Sequence, residues 1–133
     1  FTPDGKRLWA ANQNAGNITI IDLATNRVAE TLACPGVPLR IVFTPDGKRA
    51  FVASWEKKGS LVVIDVAKRR EIKRIPVGNQ PIGLLLTPDA KRLFVANMSS
   101  DDIHVIDVAK LTVAATFSTG KGPDGMAWWY PPN

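Results

Sequence analysis

One guanidinium breaks a pattern. Arg40 follows Pro38 by two residues, and the positions two after Pro81 and Pro123 hold Gly83 and Gly125. If glycine is there because strands crowd a common axis, Arg40 projects a charge into the space between them. A carboxylate or phosphate is the natural ligand of such a group, since the guanidinium fork matches a planar anion. An acidic side chain across the gap is the alternative partner. Asn79, Gln80, Lys121 and Asp124 stand in the Gly/Pro loops that enter the same runs, so they join Arg40 as candidate ligand contacts.

Trp55, Lys57 and Lys58 form a second break, in Trp55-Glu56-Lys57-Lys58. The matching loops read Gln13-Asn14-Ala15-Gly16 and Met98-Ser99-Ser100-Asp101-Asp102. A loop Trp beside lysines can stack on a base or sugar. It can equally pack on neighbouring chain. His104 is the only histidine and shares its column with Thr19 and Val62. A haem or metal ligand needs partners, and no second His or Cys is placed to help, so packing is the expectation there. Asp101-Asp102 lacks the spacing of a calcium loop. No nucleophile–base set, phosphate-cradling glycine loop or zinc-protease motif is present. The residues imply neither a catalytic group, a metal nor a cofactor.

The elements that must position these residues recur. Phe1-Thr2-Pro3-Asp4-Gly5-Lys6-Arg7 returns as Phe43-Thr44-Pro45-Asp46-Gly47-Lys48-Arg49 and as Leu86-Thr87-Pro88-Asp89-Ala90-Lys91-Arg92. The period is about 42–43 residues, which marks a repeat architecture. Each period holds the same four runs. The first is Arg7-Leu8-Trp9-Ala10-Ala11-Asn12 and its copies from Arg49 and Arg92. Ile18-Thr19-Ile20-Ile21-Asp22 and its copies ending at Asp65 and Asp107 come next, apolar on both faces as buried strands are. A more polar run follows, then a short apolar one: Leu39 to Phe43, Ile82 to Leu86 and Gly125 to Trp129. Pro and Gly fall between the runs, and no helical period appears.

The turns are specific. Pro presets the second turn position, Asp tolerates the third, and Gly takes the fourth, which often needs φ > 0. Ala90 replaces that Gly in the third copy, so either the turn differs or Ala sits at positive φ at a cost of about 1 kcal/mol. Asp22, Asp65 and Asp107 end their strands where a carboxylate can accept backbone N–H groups of the next turn. Residue types present in every copy serve the repeat. A single site does not need three copies, so the breaks carry the site candidates.

Four short strands per repeated unit predict an all-β fold, a β-propeller of four-stranded antiparallel blades. Trp9-Ala10-Ala11-Asn12, Phe51-Val52-Ala53-Ser54 and Phe94-Val95-Ala96-Asn97 resemble the YVTN repeat. So do the Pro-Asp-Gly-Lys-Arg turn, the Ile-Asp strand end and the Gly-x-x-Pro loop. The resemblance implies part of a ring, commonly seven-bladed, and an exported or surface-layer protein in the periplasm or at the cell surface. Related propellers in haem and quinone oxidoreductases keep a cofactor-binding or oxidoreductase-associated role open.

The expected single domain, residues 1–133, divides into units of about 1–42, 43–85 and 86–128 with a tail at 129–133. The first unit lacks its own inner strand apart from Phe1, and Trp129-Tyr130-Pro131-Pro132-Asn133 reads as the end of the repeats. Closed propellers have about four to eight blades. Three units therefore need further blades, or a second copy, to cover two apolar faces. Because Phe1 falls inside a strand end, the chain is expected to be a piece or a processed or engineered form.

Apolar residues make up 45% and charged residues 22%, which excludes a disordered chain. The formal charge of +5 admits an acidic partner or nucleic acid. Lys68, Arg69, Arg70, Lys73 and Arg74 cluster, as on an outer strand kept from pairing by its charges, with a phosphate-binding patch as the alternative. No run reaches the roughly 20 residues of a membrane span, and Cys34 has no disulfide partner within the chain. The expected function is a non-enzymatic scaffold that binds a protein or small anionic ligand at its rim. A cofactor-binding propeller and a nucleic-acid binder using Trp55, Lys57 and Lys58 are the alternatives.

Overall fold

The computed structural model describes residues 1–129, and among them lie eleven β-strands and no helix. They are Arg7–Asn12 (β1), Asn17–Asp22 (β2), Arg27–Ala33 (β3), Pro38–Phe43 (β4), Arg49–Ser54 (β5), Ser60–Asp65 (β6), Arg70–Pro76 (β7), Pro81–Leu86 (β8), Arg92–Asn97 (β9), Asp102–Asp107 (β10) and Thr112–Ser118 (β11). They form three antiparallel sheets in the orders β1-β2-β3, β4-β5-β6-β7 and β8-β9-β10-β11. The first sheet has three strands, as expected for a unit without its inner strand. No helix among the described residues is long and apolar enough to cross a membrane.

The middle sheet shows why the sheets stack. Successive side chains of a strand face opposite ways. Ala50 and Val52 of β5, with Val62 and Ile64 of β6, pack on Trp9, Ile18, Ile20 and Leu32 of the first sheet. Phe51, Leu61 and Val63, with Ile75, pack on Leu93, Val95, Ile106 and Val108 of the third. Both faces are therefore core, which is why β6 reads as an unbroken apolar run. Each such side chain contributes about 1.5–3 kcal/mol by leaving water.

The outer strands β3, β7 and β11 are mostly exposed. Each carries a bulge against its neighbour, leaving Ala29, Ile72 and Ala114 unpaired. Bulges add twist and spoil the edge for further pairing. The basic cluster on β7 also lies at this edge. Its Arg74 is held by Glu71 at 2.7 Å, by Ser60 Oγ at 3.1 Å and by the Pro35 carbonyl at 3.0 Å. Arg74 is thus a tie between two sheets rather than a solvated charge.

The turn preceding each second strand is built three times alike. Thr2 Oγ1 donates to Asp4 Oδ1 at 2.6 Å and accepts from the Arg7 N–H at 3.0 Å, and Asp4 Oδ1 accepts from the Lys6 N–H at 3.0 Å. Thr44 with Asp46 and Thr87 with Asp89 repeat the set. The threonine hydroxyl, chiefly, holds the carboxyls of Asp4, Asp46 and Asp89 below their ordinary range. Asp22, Asp65 and Asp107 accept N–H bonds from the turns that follow them, as read from the sequence.

Gly5 and Gly47 have φ of 68° and 67°, and Ala90 keeps the same turn at 54°. The alanine is held in a left-handed conformation that disfavours a side chain. Ala90→Gly is expected to raise stability by up to about 1 kcal/mol, since relief of strain is offset in part by a freer unfolded chain. Urea unfolding would show it, and a loss of stability would refute the strain.

One strand expectation fails. Residues 123–129 form no strand, although Gly125 to Trp129 reads as the apolar inner run of a further unit. A strand needs a ladder partner, and among the described residues none is offered to it. The segment instead lies along the third sheet. Trp128 donates its indole N–H to the Leu86 carbonyl at 2.8 Å and meets Phe94 edge to face. Trp128 holds the repeat position of Phe43 and Leu86 and remains 38% exposed, with its other side uncovered among the described residues. Of the expected closing stretch from Trp129 to Asn133, residues 130–133 lie outside the described residues.

Candidate functional site

The inner strands β4 and β8 lie against each other and position Arg40. Both begin with a bulge that skips Leu39 and Ile82, so Arg40 pairs with Ala53 and Gly83 with Ala96. A Cβ on Gly83 would overlap the Asp124 carbonyl and approach Ala96 Cβ at 3.0 Å. Crowding therefore explains Gly83. It does not explain Gly125, which has nothing within 4 Å of such an atom.

Arg40 is exposed and lines a cavity of about 420 Å³ shared with Gly83, Leu84, Asp124 and Met126. Among the described residues its guanidinium has no ion pair or hydrogen bond. Asp124 shares the cavity without forming an ion pair to it. The cavity sets Arg40 and Asp124 among Ile41, Val42, Leu84 and Met126, and among the described residues Arg40 is a free planar cation there.

The loops named with Arg40 have other work. Gln80 donates its N–H to the Glu56 carbonyl at 2.8 Å and accepts the Met98 N–H at 3.1 Å, while its side chain bonds Ser99 Oγ. Asn79 donates its N–H to Ser100 Oγ at 2.9 Å and accepts from the Ser99 N–H. These two residues stitch the loop entering β8 to the loop after β9. Lys121 is exposed, beside Gly122, whose N–H is held by Asp101 Oδ1 at 2.8 Å.

Trp55 starts the loop after β5 and is fixed to Val37 by its backbone N–H at 2.8 Å. It is half-buried, and its indole nitrogen is sealed from solvent without an acceptor. Glu56, which the sequence reading passed over, accepts the Ser54 hydroxyl at 2.8 Å, and Ser54 in turn accepts the Val37 N–H at 3.1 Å. Lys57 and Lys58 remain exposed. The structure does not bring Trp55 or these lysines to Arg40's cavity. His104 is mostly covered, with Nε2 3.7 Å from Asp102 Oδ2. Burial pushes the Cys34 thiol above its ordinary pKa, so it stays protonated and unreactive at neutral pH. No metal-holding group of His, Cys, Asp and Glu occurs among the described residues.

A family model, the YNCE-like beta-propeller, matches residues 2–84. The chain belongs to the YNCE-like β-propeller family. This agrees with the YVTN-type repeats and with the stacked sheets. No curated protein matches the chain. Among solved structures, a chain of the Kuenenia stuttgartiensis hydrazine synthase superposes with a TM-score of 0.86 at 32% identity. That match covers 92% of this chain and 36% of the other, so the YNCE-like propeller spans about a third of its relative's length.

Proposed function

We propose that this YNCE-like propeller is a binding scaffold that holds a small anion or an acidic protein segment at Arg40, without chemistry of its own. One observation carries the reading. Arg40 stands free in a cavity of about 420 Å³ where the next inner strand carries Gly83, and Asp124 in the same cavity leaves it unpaired. A repeat-wide structural role would have placed the same residue in both strands. Further blades, or a second copy, complete the ring on the open faces of the first and third sheets. An exported location belongs to the same proposal and rests on the repeat resemblance.

The test is calorimetry on the full-length protein with succinate and with inorganic phosphate. Arg40→Ala should weaken anion binding by about tenfold or more, the worth of one charge-assisted pair. Undiminished binding overturns the reading. So does turnover of a substrate that Arg40→Ala abolishes.

The similarity to hydrazine synthase supports a second reading, a propeller module serving an oxidoreductase or holding its cofactor. That reading predicts visible absorbance from haem or quinone in the native protein. A colourless, folded native preparation removes it. The nucleic-acid reading gains nothing from a half-buried Trp55.

A further inference from the structure

A second polar cavity, of about 450 Å³, opens between the first and second sheets on the side of the Thr-Pro-Asp turns. Arg7, Arg69, Trp9 and Val66 line it, with Asp4 and Asp46. The molecule supplies its own control, because the same groove recurs between the second and third sheets. There Arg49, the repeat counterpart of Arg7, donates from Nη1 to the Val108 carbonyl at 2.7 Å. That bond ties the guanidinium across the groove. Arg7 makes no such bond to Val66, the counterpart of Val108, nor any other side-chain bond among the described residues.

Two neighbours differ between the grooves. Arg69 stands where the third sheet has Leu111. Held at φ 51° by its turn, it reaches across to pair with Glu30 of β3, which places a second guanidinium at the cavity. Trp9 stands where the other sheets have Phe51 and Phe94. It is 6% exposed, and its indole N–H has no acceptor, a loss that phenylalanine would avoid. The cavity thus gathers the free guanidinium of Arg7 and the Glu30-paired one of Arg69 beside a polarisable ring.

Asp4 and Asp46 limit what enters. Their Oδ1 atoms are committed to the turn threonines and to the N–H groups of Lys6 and Lys48. Asp4 keeps a second oxygen, while Asp46 Oδ2 stands 3.9 Å from the exposed Lys48 Nζ. Two fixed carboxylates oppose a dianion such as phosphate and favour a ligand with a cation beside its carboxylate. The volume lies at the small end of ligand pockets, about 300–1,000 Å³. We propose that this cavity binds a free amino acid as its zwitterion, the carboxylate against Arg7, with Arg69 beside it in its pair with Glu30, and the ammonium toward Asp4 and Asp46.

The test is calorimetry on the full-length protein with leucine, N-acetyl-leucine, leucinamide and inorganic phosphate, with tryptophan emission read in parallel. Leucine should bind, and each blocked analogue and phosphate should bind roughly tenfold more weakly or worse. Arg69→Leu installs the residue that the other groove already tolerates, so it should fold and lose leucine binding by a similar factor. Arg7→Ala should do the same, and Trp9→Phe should remove most of the emission change. Leucine affinity unchanged by Arg69→Leu, phosphate binding as tight as leucine, or no leucine binding at millimolar concentration each overturns the proposal. Because Arg40 lines a different cavity, loss of its anion site leaves this outcome to be read by itself.

Discussion

Phe51→Ala is expected to lower the stability of the chain by about 3–5 kcal/mol, the range for emptying a buried aromatic site. The ring is fully covered, between the second and third sheets, against Leu93 and Val95 with Leu61, Val63 and Ile75 beside it. These neighbours belong to ladders on both sides, so the sheets cannot close over the gap without breaking register. Phe94 is the control. It occupies the same repeat position in the third sheet, but only the edge of Trp128, at 6.0 Å between ring centres, partly covers it. In the 133-residue chain alone, Phe94→Ala should cost about 1–2 kcal/mol, in proportion to the smaller area it hides. When further blades or a second copy cover that face, the cost should rise toward that of Phe51→Ala. Urea unfolding of both variants decides. Equal costs in a chain shown by mass to be monomeric would mean that the third sheet is not waiting for a neighbour.

The repeat made the fold readable without coordinates. Three copies of Thr-Pro-Asp, of the Ile-Asp strand end and of the Gly/Pro loop leave no other arrangement of strands with the same turn at the same place. What stayed hidden depends on neighbours rather than on residue type. The bulges that skip Leu39 and Ile82, and those at Ala29, Ile72 and Ala114, are matters of how neighbouring strands pair. No residue in the sequence signals them. Gly125 to Trp129 has the composition of a strand and lacks a partner, and composition cannot report the second fact.

The site shows the same division. Arg40 was visible because it differs from Gly83. Arg7 was not, because Arg49 and Arg92 match it and repetition argues for a structural part. The distinction lies in its surroundings, Trp9 for Phe51 and Arg69 for Leu111, which change what the same guanidinium can bond. Reading breaks in the repeat one column at a time misses a constant residue in a changed setting. Trp9 in place of Phe51 and Phe94 is the signal that the sequence does carry for this cavity.

Gly59→Ala is the other substitution with a large expected effect, about 3 kcal/mol, at the upper end for forced overpacking. Gly59 is buried at the end of the loop after β5, which is longer than its counterparts after β1 and β9. A Cβ there would overlap the Gly78 carbonyl and Pro81 Cδ and would stand 2.9 Å from Pro81 Cγ. One of these neighbours is backbone and the other a closed ring, so neither can rotate away. The Val77 N–H also donates to the Gly59 carbonyl at 3.1 Å, which ties the two loops from the other side. Displacing them would strain the bond from the Gln80 N–H to the Glu56 carbonyl and move the entry to β8, beside Arg40's cavity. Gly5→Ala separates sterics from backbone preference. Gly5 has φ of +68° and nothing within 4 Å of a Cβ, so its change should cost only about 1 kcal/mol. Denaturant unfolding should rank Gly59→Ala well below Gly5→Ala in stability. If the two variants lose the same amount, the loop has room to yield, and the close approach of Gly59, Gly78 and Pro81 does not hold the rim in place.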